Sequence, residues 1–80
     1  MSEQARLHWQ CRRGMRELDV LLERYLENTY TDSSNAEKSA FQQLLTLSDP
    51  DLAGYLLRDD RHADILTANV IDRILGRIAP

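Results

Sequence analysis

The sequence predicts an all-α fold, a compact bundle of five short helices that forms one domain over residues 1–80. Three observations support this class. Apolar residues recur every three or four positions, no segment alternates apolar and polar residues long enough for a strand, and helix start and stop signals divide the chain at short intervals. A chain of 80 residues buries roughly 60% of the surface exposed by its unfolded form, so we expect modest stability.

The first two helices are predicted on either side of a glycine. The first covers Gln4–Arg13 and ends at Gly14, because glycine is common just past a helix C-terminus. The second runs from Met15 to about Tyr30. The Glu17 carboxylate in its first turn interacts favourably with the positive end of the helix dipole. Its apolar positions follow the spacing of a buried stripe: Met15, Leu18, Leu22, Tyr25 and Leu26.

The third helix follows a turn-rich segment at residues 31–35. Ser34 and Glu37 match a capping box, in which the hydroxyl of the first residue and the carboxylate of the second each accept a backbone N–H bond. The helix should run to about Leu47. Its predicted buried residues are Phe41, Leu44 and Leu45.

A short fourth helix is predicted to start within residues 48–51 and to precede a polar connection at residues 58–63. A fifth is predicted from about Asp64 to Ile78. Asp49 is expected to cap the fourth helix, with Pro50 at its first position and Leu52, Tyr55 and Leu56 buried. The fifth is expected to contain Gly76, which would cost about 1 kcal/mol relative to alanine if the helix continues through it. Its predicted stripe is Leu66, Val70, Ile71, Ile74, Leu75 and Ile78.

Catalytic and metal-binding motifs are missing from the sequence. Cys11 is the single cysteine, which permits no internal disulfide, and we expect it to be a buried structural thiol. Trp9 is expected to anchor the core. His8 and His62 are far apart, and no cysteine or carboxylate lies at the spacing that metal ligands require. The acidic residues near His62 are expected to lie in a solvent-exposed loop. We therefore predict no metal site, no catalytic residues and no enzymatic activity. The acids are Asp59, Asp60 and Asp64.

The charges are distributed unevenly. Residues 1–16 carry four arginines and one glutamate, whereas residues 17–80 carry six basic and twelve acidic side chains. The net negative charge of residues 17–80 argues against a nucleic-acid partner. The positive charge of residues 1–16 could steer the protein toward an acidic surface of a partner. No apolar run approaches the roughly 20 residues that span a bilayer, and we expect no signal or transit segment ahead of the domain. We expect a cytoplasmic protein without membrane insertion.

The corner between the first two helices is the predicted partner-binding site. Three of the ten basic residues surround a glycine, and one acid follows. Guanidinium groups bind carboxylates and phosphates in two-pronged fashion, and glycine leaves the backbone open to close approach. The predicted site consists of Arg12, Arg13, Gly14, Arg16 and Glu17.

Two motifs carry a family resemblance over nearly the whole chain. The run from Leu7 to Asp19 contains Arg13-Gly14-Met15-Arg16-Glu17, and a second motif reads Asp49-Pro50-Asp51-Leu52. Together they resemble the small succinate dehydrogenase assembly factors, or flavinylation factors, whose hallmark is Arg-Gly-x-x-Glu. The resemblance implies a chaperone-like factor that binds the flavoprotein subunit of succinate dehydrogenase, or of fumarate reductase, and promotes covalent attachment of FAD to a histidine there.

On this reading the chain has no cofactor of its own, since FAD is handled through the client flavoprotein, and we expect a monomer. Two alternatives stay open. Members of the family have also been described as antitoxin-like regulators of a membrane toxin, which copurification with a toxin would favour. A small helical nucleic-acid-binding module that uses the basic first helix is the other, and salt-sensitive retention on DNA would support it.

Overall fold

Five α-helices make up most of the part of the chain that the computed structural model describes, residues 2–76. They are α1 (Glu3–Gln10), α2 (Arg16–Asn28), α3 (Asn35–Leu44), α4 (Asp49–Leu57) and α5 (Ile65–Ile74), and a single 3₁₀ turn (Tyr30–Asp32) follows α2. Residues 2–76 contain no strand. The predicted all-α class and the five helices are confirmed.

The core is formed by one side of each helix. Leu7 comes from α1, Leu22 from α2 and Leu52 from α4, and all three are buried. Phe41 of α3 lies at the centre, with the ring centroids of Tyr25 and Tyr30 at 4.8 and 5.5 Å from its own. α5 completes the core against α2, α3 and α4 with Val70, Ile71 and Ile74. The apolar spacing therefore identified most of the buried residues correctly.

Polar side chains define where the helices begin. In α3 the amide N–H of Glu37 donates to Ser34 Oγ at 3.1 Å, and the amide N–H of Ser34 donates to Glu37 Oε1 at 3.0 Å. This is the predicted capping box. α1 and α5 are capped in the simpler way by Ser2 and Asp64, whose side-chain oxygens accept a backbone N–H three residues later.

The predicted cap of α4 is wrong by one residue. Ser48 is the cap, since its hydroxyl accepts the amide N–H of Asp51 at 3.3 Å, and Asp49 is the first helical residue. A proline fits either position of the first turn, because those N–H groups have no intrahelical acceptor. The position of Pro50 therefore could not show whether Ser48 or Asp49 is the cap. The shift leaves the Asp49 carboxylate available to a neighbouring segment.

α1 ends three residues earlier than predicted. It ends at Gln10, with Cys11 as its C-cap, and residues 12–15 are not helical. The reason is a tertiary bond: the amide N–H of Arg13 donates to Asp19 Oδ1 at 2.7 Å instead of to a carbonyl of α1. Gly14 then reverses the chain with φ +81°. Glycine adopts this left-handed conformation readily, but Gly14 lies four residues beyond the end of α1 and not directly after it as predicted.

α2, α3 and α5 also end earlier than predicted. α2 begins at Arg16, and Tyr30 belongs to the 3₁₀ turn. α3 ends at Leu44 and α5 at Ile74. Gly76 has φ +77° just beyond α5, so within the described residues it follows the helix and does not interrupt it. The predicted continuation of α5 to Ile78 lies outside the described residues.

Trp9 is not the core anchor that the sequence predicted, because 68% of it is exposed. Leu7 and Cys11, four residues apart, form the buried face of the α1 segment. Position 9 is two residues from position 7 and therefore roughly 200° around the helix. Four other stripe residues lie nearer the surface than predicted: Met15 and Leu66 are exposed, and Tyr55 and Leu75 are partly buried.

Candidate partner-binding site

The predicted site residues all lie in the α1–α2 corner, but their side chains divide into an inward and an outward group. Arg13 belongs to the first group. Its guanidinium Nη1 donates to the carbonyl of Leu47 at 3.1 Å, and its Nη2 donates to the carbonyl of Leu45. The same Nη1 lies 3.5 Å from Asp49 Oδ1, and only 15% of the side chain is exposed. This fork satisfies carbonyls at the end of α3, which have no intrahelical partner.

These contacts join the two sequence motifs into one structural unit. Asp49 begins the second motif and α4, while Arg13 begins the first. Asp19 of α2 holds the Arg13 backbone from the other side. Arg13 therefore fixes the corner against the α3–α4 turn, and a role in direct partner contact stays a prediction.

Gly14 lies at the outside of the corner and is exposed. A Cβ added there would meet no atom within 4 Å, but the φ of +81° is unfavourable for residues that have a side chain. The requirement for glycine at this position is thus conformational within the chain. The open space above it is where another molecule could approach the backbone.

Arg12, Arg16 and Glu17 form the outward group. The Arg12 side chain is 63% exposed, and its Nε is 3.8 Å from Glu23 Oε1, a long and weak ion pair. Arg16 and Glu17 are exposed, and the side chain of neither residue makes a hydrogen bond or an ion pair with residues 2–76. The corner therefore presents two guanidinium groups and one carboxylate to solvent. Their spacing fits recognition of charged or polar groups on a partner.

An apolar groove that the sequence did not predict adjoins this outward group. It has a volume of about 380 Å³ and is lined by Arg16, Glu17, Val20, Leu21 and Leu57. Val20 is 53% exposed and Leu57 is 40% exposed. Val20 could have been noticed in the sequence as an apolar residue off the buried stripe of α2. Leu57 could not, because its place in the groove depends on how α4 packs against α2.

Cys11 is chemically quiet in this structure. Its side chain is fully buried, and burial together with the nearby Glu23 carboxylate raises the pKa of the thiol to about 12. A thiol with such a pKa is not a nucleophile near neutral pH. The predicted burial of Cys11 is confirmed.

The acidic loop before α5 is organised as a cap. His62 Nδ1 accepts the amide N–H of Asp64 at 3.0 Å, and the His62 ring centroid is 5.1 Å from that of Tyr55. The bonds from the Thr67 amide and hydroxyl lower the pKa of Asp64. A polar cavity of about 270 Å³ lies beside this loop. Within residues 2–76, no three His, Cys, Asp or Glu side chains are arranged to hold a metal ion.

No helix in the described part of the chain is long and apolar enough to cross a membrane.

Comparison with known proteins places these features in a family. A family model described as the flavinator of succinate dehydrogenase matches residues 5–78. The FAD assembly factor SdhE of Shewanella oneidensis is 40% identical over 76 residues, which cover 95% of this chain and 93% of that protein. The protein of the same name from Yersinia pseudotuberculosis is 44% identical over 77 residues, covering 96% and 88%. The one from Idiomarina loihiensis is 37% identical over 78 residues, covering 98% and 87%. The chain therefore belongs to the family of succinate dehydrogenase flavinators.

Proposed function

We propose that this chain is an assembly factor that binds the flavoprotein subunit of succinate dehydrogenase and promotes covalent attachment of FAD to that subunit. Family membership and the relatives' names support the proposal. The observation that carries it on the structural side is the outward group. A corner fixed from inside by Arg13 presents Arg12, Arg16 and Glu17, and the latter two make no bond with the described part of the chain.

The proposed mechanism is positioning. Contacts from the outward group hold the client in the conformation in which its flavin and the acceptor histidine meet in reactive geometry. Holding two reacting groups in place removes much of the entropic barrier to their reaction. The bond is then formed by groups of the client and its flavin. A fixed corner suits this role because a surface that is already ordered pays little conformational entropy on binding.

The contacts of each residue in the motif suggest its proposed role. Arg16 and Glu17 are proposed to meet charged or polar groups of the client, and Arg12 extends the same surface. Gly14 lets the client backbone approach closely, and Arg13 positions the corner. In this proposal the chain is a monomeric, cytoplasmic, non-catalytic factor without a cofactor of its own. The flavoprotein of fumarate reductase is proposed as a second client.

Deletion of the gene tests the proposal. The flavoprotein polypeptide should persist in the deletion strain, but its covalent flavin should fall and should recover when the gene is restored. In-gel fluorescence under denaturing conditions measures covalent flavin, and an immunoblot of the same gel measures the polypeptide. Unchanged fluorescence per polypeptide in the deletion strain would contradict the proposal for this client. The antitoxin-like and nucleic-acid-binding hypotheses find no support in the comparisons.

A further inference from the structure

The apolar groove beside the corner has the features of an anchoring pocket. Val20 and Leu57 are apolar and each has about half of its surface exposed, and Leu21 packs against the core next to them. The exposure of these side chains costs free energy that the chain could recover by covering them. Buried apolar anchors in such pockets carry a large share of the affinity of many protein interfaces.

The walls of the groove also carry charge. Arg16 and Glu17 line it, and within residues 2–76 neither has an ionic or hydrogen-bonding partner. Arg16 can receive a carboxylate, and Glu17 can accept an N–H bond. An occupant that satisfies all the lining groups would therefore combine an apolar side chain, a nearby carboxylate and an N–H donor.

We infer that this groove receives a large apolar side chain of the flavoprotein client, from a segment that carries a carboxylate beside it. The inference rests on the proposed function, because Arg16 and Glu17 belong both to the groove and to the surface proposed to bind the client. The carboxylate pairs with the Arg16 guanidinium, and an N–H group of the segment donates to the Glu17 carboxylate. The apolar side chain covers Val20 and Leu57.

A client is the occupant that agrees with the proposed function, because the groove shares Arg16 and Glu17 with the surface proposed to bind it. A stable interface uses about 20 to 30 residues on each side, whereas five residues line the groove. The additional surface must come from beyond the groove, and Arg12 and Gly14 supply part of it on the side of Arg16. The groove is therefore one pocket of a larger surface that includes the motif.

Serine substitutions in the groove test the inference. Val20→Ser and Leu57→Ser remove apolar surface without adding charge, and Ile65→Ser is the matched control. Ile65 is 79% exposed and does not line the groove. The purified flavoprotein subunit serves as the probe, and calorimetry gives the dissociation constant. Each groove variant should bind about tenfold more weakly than the wild type, whereas the control should bind normally.

Two further measurements define the outcomes. Thermal melts should show Val20→Ser and Ile65→Ser about as stable as the wild type. Leu57→Ser should lose some stability because Leu57 is only 40% exposed, so its binding is compared at equal folded fraction. Arg16→Gln should weaken binding and reduce its dependence on salt, whereas Val20→Ser should leave the salt dependence unchanged. Wild-type affinity in both groove variants would overturn the inference and leave the proposed function standing. The inference would also be overturned if sedimentation showed that Val20→Ser abolishes a dimer of this chain while its affinity for the client is unchanged. Failure of the wild-type chain to bind would overturn both.

Discussion

Arg13 and Arg16 are three residues apart, yet the fold uses them in opposite ways. Arg13 is bonded to the carbonyls of Leu45 and Leu47, while Arg16 has no bonding partner in the described range. Arg24 plays a part similar to that of Arg13, since its Nη2 donates to the carbonyl of Ile74 at the end of α5 at 3.0 Å. Arginine thus serves as a C-terminal cap for two helices, in addition to its proposed role at the surface.

Substitution of Arg13 should therefore act mainly on stability. Arg13→Ala removes charge-assisted hydrogen bonds to the α3 end and should lower the free energy of unfolding by about 1.5–3 kcal/mol. Arg16→Ala should change it by less than about 0.5 kcal/mol, because Arg16 is exposed and makes no internal bond. Urea unfolding measures both. Equal stability of the two variants would show that the internal bonds of Arg13 contribute little.

Gly14 allows the conformational and the partner-binding roles to be separated. Gly14→Ala and Gly14→Arg should each lose about 1–2 kcal/mol, because both residues are strained at the φ of +81°. Their stability losses should be similar, since no atom lies within 4 Å of the added Cβ. Gly14→Asn should lose less, as asparagine tolerates this region.

Client binding by folded Gly14→Arg should nevertheless be far weaker than by folded Gly14→Ala, because the long side chain blocks close approach. Thermal melts and pull-down of the flavoprotein at equal folded fraction make the comparison. If the two folded variants capture equal amounts of client, Gly14 serves the turn and not the interface.

At the scale of the helices, α3 and α5 are joined by an ion pair that also belongs to a cap. Glu37 Oε1 accepts the Ser34 amide N–H in the capping box, and Glu37 Oε2 lies 2.6 Å from Arg73 Nη1. The Ser34 amide and hydroxyl bonds lower the pKa of Glu37 below its ordinary value of 4.5, and the Arg73 guanidinium adds to this effect. The contact links the start of α3 to the last turn of α5.

This arrangement predicts a loss of stability in acid. A carboxyl group with a lowered pKa in the folded state stabilises the fold above its unfolded pKa, and that contribution disappears as the pH falls through the folded pKa. The free energy of unfolding should therefore decrease as the pH drops from about 5 toward 3. Glu37→Gln should be less stable at neutral pH and show a shallower acid slope. Parallel slopes for the two proteins would contradict this assignment.

The interiors of the helices could be predicted from the sequence, whereas several of their ends could not. Apolar spacing found Leu18, Leu22 and Phe41 because a buried stripe repeats with the helical period. The end of α1 depends on a bond between Arg13 and Asp19 across the corner, and such a bond has no periodic signature. The exposure of Trp9 could have been derived from its position on the helix relative to Leu7. The prediction instead followed the general tendency of tryptophan to be buried.

At the scale of the whole molecule, α4 runs beside the site and connects its parts. Its first residue, Asp49, meets the Arg13 guanidinium, and its last residue, Leu57, lines the groove with Val20. The second sequence motif thus begins the helix that supports the first. The sequence placed the five predicted site residues at one corner, and their role in partner binding stays a prediction. Their division into inward and outward groups depends on which carbonyls the end of α3 leaves unpaired.

The central claim is that the outward group binds the client while the inward group maintains the fold. Complementation of the deletion strain with Arg16→Gln/Glu17→Gln tests it most directly, with covalent flavin per flavoprotein polypeptide as the readout. We predict that this variant melts like the wild type and accumulates to the same level, but fails to restore covalent flavin. Restoration to the wild-type level by the folded double variant would contradict the account.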